Sequence, residues 1–262
     1  MQSGAIRPIA NMLPRNLFTT EHEAFRETVR KFYEKEVVPN IEKYEQQQHV
    51  DRDLWHKAGA MGLLCATMPE TYGGSGVDRL YSMILIEEQA YAMDSSTGFS
   101  LHSDIVANYI NNFGNEAQKM HWLPTMVSGE TVTAIAMTEP GTGSDLQAVR
   151  TTAVLEGDDY VINGSKIFIT NGYLCDMAIV VCKTGSSDKG SANLSLLIVE
   201  TDRVGFSKGK PLHKIGMKGQ DTCELFFDNV RVPKQNLLGI EGMGFMMLMK
   251  ELAWERMLVA II

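Results

Sequence analysis

The sequence predicts an α+β protein of several domains, with an N-terminal helical domain, a central antiparallel β-barrel or sandwich domain, and the start of a C-terminal helical domain. Two changes of pattern predict this order. Apolar residues recur at helical spacing from Thr20 to about Ser128, and then alternate with a period of two from Thr131 to Val232. After Pro233 the spacing becomes helical again.

The domain boundaries follow these changes of pattern. The chain has 262 residues, which at roughly 150 residues per domain suits a little under two complete domains. We assign 1–130 to the helical domain, 131–233 to the β domain, and 234–262 to the first helix of a C-terminal domain. Because Val259–Ile262 contains no residue that closes a helix, we expect a chain cut inside a helix of a longer protein.

Five helices are predicted in the N-terminal half. The first begins at the capping-box segment Thr20–Glu23, with Thr20 as the N-cap, and ends before Pro39. The other four have apolar residues at helical spacing, and they run roughly over 52–61, 79–93, 98–113 and 116–127.

Six strands are predicted in the middle of the chain. The pair Asn163-Gly164 predicts a hairpin turn, because both residues tolerate positive φ. Parallel strands need crossover connections, and the pattern shows no helices for them, so an antiparallel barrel or sandwich is favoured. The strands are expected at 131–138, 150–156, 160–170, 177–184, 195–200 and 223–232.

Composition disfavours several classes of protein. The 24 basic and 32 acidic side chains give a formal net charge of −8, which argues against a protein that neutralises nucleic-acid phosphates. No apolar run reaches the length of a membrane span, about 18 residues. The 4 cysteines and 6 histidines show no paired spacing typical of a zinc site, so no metal is expected. Scattered cysteines also suit a reducing, cytosol-like compartment.

The segment Thr138–Asp145, of sequence TEPGTGSD, is the strongest candidate for a binding loop. Its glycines let the backbone approach a ligand, and the hydroxyls of Thr138 and Ser144 can bond to a heteroaromatic edge or to phosphate. A plain turn is the alternative interpretation. Dinucleotide binding of the Rossmann type is excluded, because Leu146 stands where that fingerprint requires glycine.

A second candidate lies at the end of a predicted strand, in the segment Phe168–Gly172. Phe168 and Thr170 are two residues apart and project from the same face of the strand. Phe168 is placed to stack on a ring system and Thr170 to bond its edge. Sheet core followed by a turn is the alternative interpretation.

The third candidate is a pair of acids in the last predicted helix, Phe245–Ile262, which is apolar around nearly its whole circumference and is therefore expected to be buried. Glu251 and Glu255 are four residues apart and share one face. A buried carboxylate has a raised pKa, which suits a general base acting on a weak carbon acid. We expect at least one of the two acids to face solvent.

In their order along the chain, these elements closely resemble the flavin-dependent acyl-CoA dehydrogenases, and in particular the long-chain and isovaleryl branches. The resemblance covers nearly the whole chain from about Leu17 onward. It is carried by the TEPGTGSD loop, the strand end of sequence FITNG, and Trp254-Glu255-Arg256, with support from the segments 69–74 and 214–220.

This resemblance implies that FAD binds against the β domain. Met137 and Thr138 contact the isoalloxazine ring, and Ser144 reaches the pyrophosphate and lies near the CoA portion of the substrate. Phe168 stands where many members carry tryptophan, and it keeps the stacking surface. The implied cofactor-binding residues are Ile135, Met137, Thr138, Gly143, Ser144, Phe168, Ile169 and Thr170.

The implied reaction is the α,β-dehydrogenation of a fatty acyl-CoA thioester to the trans-2-enoyl-CoA. Most of the family carry the catalytic base on a later helix, whereas the long-chain and isovaleryl branches carry it in the pattern that contains Glu255. We therefore expect Glu255 to remove the α proton, with a glutamate beyond Ile262 as the alternative base. The implied substrate-binding residues are Ser144, Met246 at the acyl entrance, Ala253, Trp254, and Arg256 beside the CoA portion.

The resemblance also implies partners and a location. Electrons pass to an electron-transfer flavoprotein, and the chain assembles as a homo-oligomer, a dimer of dimers. The compartment is the cytoplasm for a bacterial protein and the mitochondrial matrix for a eukaryotic one. Two alternatives stay open, a non-catalytic module that binds acyl-CoA or flavin, and an oxygen-reacting flavoenzyme on the same scaffold. Intact Thr138, Ser144, Thr170 and Glu255 favour the enzyme over the non-catalytic module.

Overall fold

The computed structural model of the protein describes residues 15–185 and 193–261. Helices come first, strands follow, and one helix ends the described chain, so the predicted order is confirmed. A π-helical segment, Leu101–Val106, leads directly into the fifth helix. The helices of the first part are α1 (Thr20–Phe32), α2 (Ile41–Gln47), α3 (Arg52–Ala60), α4 (Arg79–Tyr91), α5 (Ala107–Phe113) and α6 (Glu116–Val127).

The first helix departs from the prediction at both ends. Its N-cap is Thr19, one residue earlier than expected, and His22 completes the capping box. The chain also continues past Pro39, through the π-helical segment Tyr33–Val37 and one 3₁₀ turn, into α2. Pro39 lies in the first turn of the 3₁₀ segment, where its missing N–H is not needed, and so it does not end the helical path.

The strands of the described residues form one open eight-stranded sheet, in the order β6-β7-β3-β2-β4-β5-β8, with β1 paired to β4. Antiparallel pairing predominates, as predicted, but β4 pairs in parallel with β1 and, at one position, with β2. The segment between β1 and β4 contains strands rather than a crossover helix, so the absence of predicted helices there did not exclude parallel pairing. The strands are β1 (Thr133–Ala136), β2 (Thr152–Glu156), β3 (Asp159–Thr170), β4 (Met177–Lys183), β5 (Leu194–Glu200), β6 (Phe206–Lys208), β7 (Thr222–Pro233) and β8 (Leu237–Leu238).

The hairpin predicted at Asn163-Gly164 is wrong. Both residues lie inside β3, where the pairing with β7 shifts register between Ile162 and Gly164. A side chain at Gly164 would place its Cβ 2.4 Å from the Thr151 hydroxyl oxygen, so close packing of backbones, and not a turn, requires this glycine. The turn that joins β2 to β3 is Gly157-Asp158, with Gly157 at φ +65°.

The last helix, α7 (Gly244–Ile261), packs into a core shared by the helical part and the sheet. Val106 and Tyr109 from the segment before and within α5 contribute to this core, together with residues of β1, β4 and β5. Only one face of α7 is buried, contrary to the expectation for the whole helix, since Met246 and Val259 are 60% and 71% exposed. The shared core places the acidic face of α7 against α5.

Within the described part of the chain, every helix is too short or too polar to cross a lipid bilayer.

Candidate active site

The two acids of α7 are both held by residues of α5. The Tyr109 hydroxyl donates to Oε1 of Glu255 at 2.7 Å, and the Asn112 amide donates to Oε1 of Glu251 at 2.9 Å. Glu251 is 5% exposed and Glu255 is half-buried. The expectation that at least one of them faces solvent is met only in part, because Glu251 is buried and Glu255 keeps part of its surface exposed.

The environment of Glu255 favours the protonated form. Burial raises the pKa of Glu255, the Tyr109 hydroxyl lowers it, and the nearby Glu251 raises it, with a net upward shift. A carboxylate whose pKa lies above its ordinary value is a stronger base than an exposed glutamate. The pKa of Glu255 is thus raised, as the apolar sequence of α7 predicts.

Trp254, the residue before Glu255, is fixed on two sides. Its indole Nε1 donates to the backbone oxygen of Asp104 at 3.1 Å, and the Arg79 guanidinium lies 4.3 Å from its ring centroid. These contacts tie the middle of α7 to the segment 101–106 and to α4. They restrict rotation of the helix that carries Glu255.

The remaining substrate residues predicted on α7 lie away from this pair. Met246, Ala253 and Arg256 are exposed, so the structure does not bring them into the packed contact between α5 and α7. They line the open side of the helix instead.

A buried ion pair supports the TEPGTGSD loop from below. The Lys166 ammonium donates to Glu139 Oε1 at 2.9 Å and to the backbone oxygen of Met137 at 3.0 Å. Backbone N–H groups of Arg150 and Thr151 donate to the same carboxylate, at 2.6 and 2.9 Å. Lys166 is fully buried and Glu139 is 6% exposed.

The charges of this pair stabilise each other. Burial lowers the pKa of Lys166, although Glu139 opposes the change. Burial alone would raise the pKa of Glu139, but hydrogen bonds from Thr151 and Lys166 outweigh it and lower the pKa. Because the pair anchors the loop from inside, the opposite side of the loop is free to bind a ligand.

That opposite side carries the predicted binding groups. Gly143 and Ser144 are exposed and Thr138 is half-buried, whereas Ile135 lies in the core of β1. A Cβ placed on Gly143 would meet open space. The backbone N–H of Ile167 donates to the backbone carbonyl oxygen of Thr138 at 2.9 Å, which joins this loop directly to β3, the strand that carries the second motif.

Phe168 has a strained backbone and an exposed ring. Its φ is +60°, and the pairing of β3 with β7 shifts register between Lys166 and Ile169. The side chain is 62% exposed, while Ile169 is buried and Thr170 is half-buried. A bulky residue at positive φ is uncommon and persists only where the surroundings enforce it, frequently at a functional site. The bulge thus presents an aromatic ring to solvent beside the loop.

A buried amide holds the end of this strand. Asn171, at φ +60°, donates from its side chain to the backbone oxygens of Gly98 and Thr133, at 3.0 and 3.2 Å. A Cβ on Gly98 would lie 1.8 Å from the Asn171 amide oxygen. Gly98 is therefore required for Asn171 to reach the helical part and fix the bulge.

Three residues of this site lie outside the sequence prediction. Lys166 is a lysine within an otherwise apolar alternation of β3, a pattern that indicates a buried partner. Glu139 belongs to the TEPGTGSD loop, and the loop sequence alone does not indicate that its carboxylate anchors the loop to β3. Nothing in the sequence pairs Tyr109 with Glu255, because 146 positions separate them and only the folded chain brings them together.

The site has the groups that a flat, phosphate-bearing heteroaromatic molecule requires: an exposed ring for stacking, hydroxyls at its edge, and glycine backbone open to close approach. A half-buried carboxylate lies on the neighbouring helix. Among residues 15–185 and 193–261, no three His, Cys, Asp or Glu side chains are grouped as a metal site.

Comparison with known proteins identifies the family. The model of the acyl-CoA dehydrogenase N-terminal domain matches residues 19–130, and the model of the acyl-CoA dehydrogenase middle domain matches residues 134–230. The chain belongs to the acyl-CoA dehydrogenase family.

Individual relatives agree with this placement. The chain is similar to the mitochondrial long-chain specific acyl-CoA dehydrogenase of Sus scrofa, 49% identical over 261 residues, which are 99% of this chain and 61% of that protein. An acyl-CoA dehydrogenase crystal structure from Geobacillus kaustophilus has a TM-score of 0.92 at 47% identity, covering 94% of this chain and 65% of that one. An acyl-CoA dehydrogenase complexed with FAD from Bacillus anthracis has a TM-score of 0.84 at 36% identity, covering 93% and 42%. The chain thus spans about three fifths of the length of the curated relatives it matches.

Proposed function

We propose that the protein catalyses FAD-dependent α,β-dehydrogenation of a fatty acyl-CoA thioester, giving the trans-2-enoyl-CoA. One observation carries the proposal: a half-buried carboxylate, Glu255, is held at 2.7 Å by Tyr109 on a helix packed into the same core as the ligand-binding sheet. The similarity to a long-chain specific acyl-CoA dehydrogenase supports the same activity.

FAD fits the β part of the site. In this proposal Phe168 stacks on the ring system, Thr138 and Thr170 bond its edge, and Ser144 bonds a phosphate oxygen. The exposed backbone around Gly143 lets the phosphates approach. Met137 contacts the ring system, and the buried Ile135 and Ile169 form the floor beneath it. When bound, the flavin serves as the hydride acceptor. The neighbour from Bacillus anthracis, whose complex contains FAD, supports this choice of cofactor.

Glu255 acts as the base. Its carboxylate takes the α proton of the thioester, and its raised pKa makes that transfer less unfavourable. Trp254 holds the helix in place through Asp104 and Arg79. We assign the CoA portion to Ser144 and Arg256, and the acyl entrance to Met246 and Ala253.

The domains, assembly, electron acceptor and location are proposed on the basis of this function. We propose the domain division 1–130, 131–233 and 234–262, a homo-oligomer that is a dimer of dimers, and an electron-transfer flavoprotein as the electron acceptor. The location is the cytoplasm for a bacterial protein and the mitochondrial matrix for a eukaryotic one.

An anaerobic titration tests the reaction. The FAD-loaded protein is mixed with short, branched and long saturated acyl-CoAs while the absorbance of oxidised flavin is followed. We expect bleaching in the wild type, loss of bleaching in Glu255→Gln, and retained bleaching in Glu251→Gln, which removes the neighbouring buried acid.

The other outcomes discriminate between the alternatives. Flavin that stays oxidised with every acyl-CoA would identify a non-catalytic module, and bleaching that reverses rapidly in air with peroxide formation would identify an oxygen-reacting enzyme. Bleaching that persists in Glu255→Gln would place the base elsewhere.

A further inference from the structure

We propose that Tyr109 is a positioning residue for the base: its hydroxyl holds Oε1 of Glu255, so that the proton is accepted at the other carboxylate oxygen, Oε2. This inference rests on the proposed function of Glu255. It goes beyond it by assigning a second residue, on a different helix, the task of orienting the carboxylate.

Each acid of α7 accepts a hydrogen bond from a different residue of α5. Tyr109 and Asn112 are three residues apart on α5, and they donate respectively to Glu255 and Glu251, four residues apart on α7. Residues at these spacings lie on one face of each helix, so the two hydrogen bonds form a pair between facing helices. Each acid is held through its Oε1.

The two donors differ in rigidity. Tyr109 is fully buried, and its ring lies in the core that joins the helices to the sheet. Its ring contacts Phe113, with the centroids 6.0 Å apart and the planes tilted by 48°. Asn112 is exposed at the rim. Tyr109 is thus a fixed donor, whereas Asn112 is free to exchange its partner with water.

Only one oxygen of Glu255 is engaged. Within the described residues, no hydrogen bond reaches Oε2 of Glu255, while Oε1 accepts from Tyr109. The tyrosine remains a donor over the whole working range, because burial and the charges of Glu255 and Glu251 raise its pKa. The free oxygen is the one available to a substrate proton.

Titratable and charged groups are present on each element packed against this part of α7. Glu251, Lys250 and Arg256 are on the same helix, and Tyr109 faces Glu255 from α5. Asp104 and Arg79 contact the neighbouring Trp254 from the segment 101–106 and from α4. Tyr109 is the group among them that donates a hydrogen bond to Glu255. Removing the Tyr109 hydroxyl should therefore raise the pKa of Glu255, because the carboxylate loses a donor that stabilises its charge.

The test compares Tyr109→Phe with Asn112→Ala in the FAD-loaded protein. Because a hydrogen bond to a charged group contributes energy equivalent to about one pKa unit or more, the acidic limb of kcat/KM against pH should move up by about one pH unit in Tyr109→Phe. It should stay in place in Asn112→Ala, which removes the matched bond to Glu251. Thermal unfolding of both variants measures the structural cost separately.

A second measurement does not depend on turnover. The carboxyl carbon of Glu255 is followed by ¹³C NMR across the pH range in glutamate-labelled protein, with its resonance assigned by its absence from Glu255→Gln. Tyr109→Phe should raise the observed pKa. Replacement of tyrosine by 3,5-difluorotyrosine keeps the ring and strengthens the donor, so it should lower the pKa; this variant also serves if the phenylalanine variant does not fold.

The outcomes separate the two proposals. If the acidic limb and the carboxyl pKa are unchanged in both tyrosine variants while Glu255→Gln abolishes bleaching, Tyr109 has no positioning role and the proposed function stands. If Glu255→Gln bleaches like the wild type, Glu255 is not the base and both proposals are wrong.

Discussion

The ammonium of Lys166 lies 2.9 Å from the carboxylate of Glu139, and the two side chains are buried beneath the loop that presents Thr138 and Ser144. Lys166 comes from the middle of β3, so this ion pair fastens the loop to the same strand whose end carries Phe168. Together with the hydrogen bond from the Ile167 N–H to the Thr138 backbone oxygen, the pair holds the loop and Phe168 in fixed positions relative to each other.

Removing one partner of this pair should destabilise the protein more than removing both. A buried charge left alone costs roughly 3–5 kcal/mol, whereas replacing the whole pair with apolar groups is often close to neutral. We therefore expect Lys166→Met and Glu139→Gln each to lower the free energy of unfolding by several kcal/mol. The double variant should lose less than the sum.

Urea unfolding of the wild type, the two single variants and the double variant forms a double-mutant cycle, which gives the coupling energy between Lys166 and Glu139. The exposed pair of Lys31 and Glu27, whose charged atoms lie 3.9 Å apart, provides a matched cycle that should show coupling of at most about 1 kcal/mol. Additive losses at Lys166 and Glu139 would contradict the anchoring role.

Replacing Phe168 with glycine should stabilise the folded protein and weaken cofactor binding. At φ +60° glycine removes the strain of a side chain, and little burial is lost because the ring is 62% exposed. We expect Phe168→Gly to raise the free energy of unfolding by about 1 kcal/mol and to weaken FAD binding at least tenfold.

Calorimetric titration with FAD and thermal unfolding measure the two effects. Phe226→Gly is the control, since Phe226 is also partly exposed but lies in β7 without positive φ, and there glycine should destabilise. Unchanged FAD affinity in Phe168→Gly would exclude stacking by this ring.

Local pattern was enough to predict the order of helices and strands along the chain. The span of α6 was predicted over 116–127 from the helical spacing of its apolar residues and is observed there. The loop composition predicted backbone open to a ligand, and Gly143 and Ser144 are exposed in the structure. These features depend on residues that are neighbours in the chain, or one helical turn apart.

Features that depend on distant residues were missed. Gly164 lies inside β3, where a Cβ would clash with Thr151 from another part of the chain. Both acids of α7 accept hydrogen bonds from α5, which no periodicity in α7 itself encodes. The continuation of helix past Pro39 was missed for a local reason, since Pro39 lies in the first turn of a 3₁₀ segment. A local pattern fails where a residue packs against, or is hydrogen-bonded by, a part of the chain that is distant in sequence.

Gly98 should tolerate no side chain. A Cβ there would lie 1.8 Å from the Asn171 amide oxygen, which would push Asn171 away from its two backbone acceptors. Gly98→Ala should therefore destabilise the protein by roughly 1–3 kcal/mol and loosen the end of β3. Gly141→Ala, at a site with open space around the Cβ, should leave stability within about 0.5 kcal/mol of the wild type.

Chemical denaturation of both alanine variants, with amide hydrogen exchange at Ile169 and Thr170, tests this claim. Equal stability of the two variants would show that Asn171 moves without cost.

Asp104 should make stability depend on pH. Burial raises the pKa of its carboxyl to about 7, while Ser82 and Arg79 oppose the shift. The folded protein then binds a proton that the unfolded chain releases above its ordinary pKa of about 3.9. This contribution to stability is complete below pH 4 and is lost as pH rises through 7, with a slope of at most about 1.4 kcal/mol per pH unit.

The variant Asp104→Asn should keep the hydrogen bond from Ser82 without the titrating proton, so its advantage over the wild type should grow between pH 4 and 7 and then level off. Urea unfolding at a series of pH values measures the difference in free energy of unfolding between Asp104→Asn and the wild type. The titration of other groups cancels in this difference. Asp202→Asn, at an exposed position, should run parallel to the wild type. A constant difference between Asp104→Asn and the wild type across this range would mean that Asp104 is already ionised in the folded protein, with a counter-charge that stabilises it.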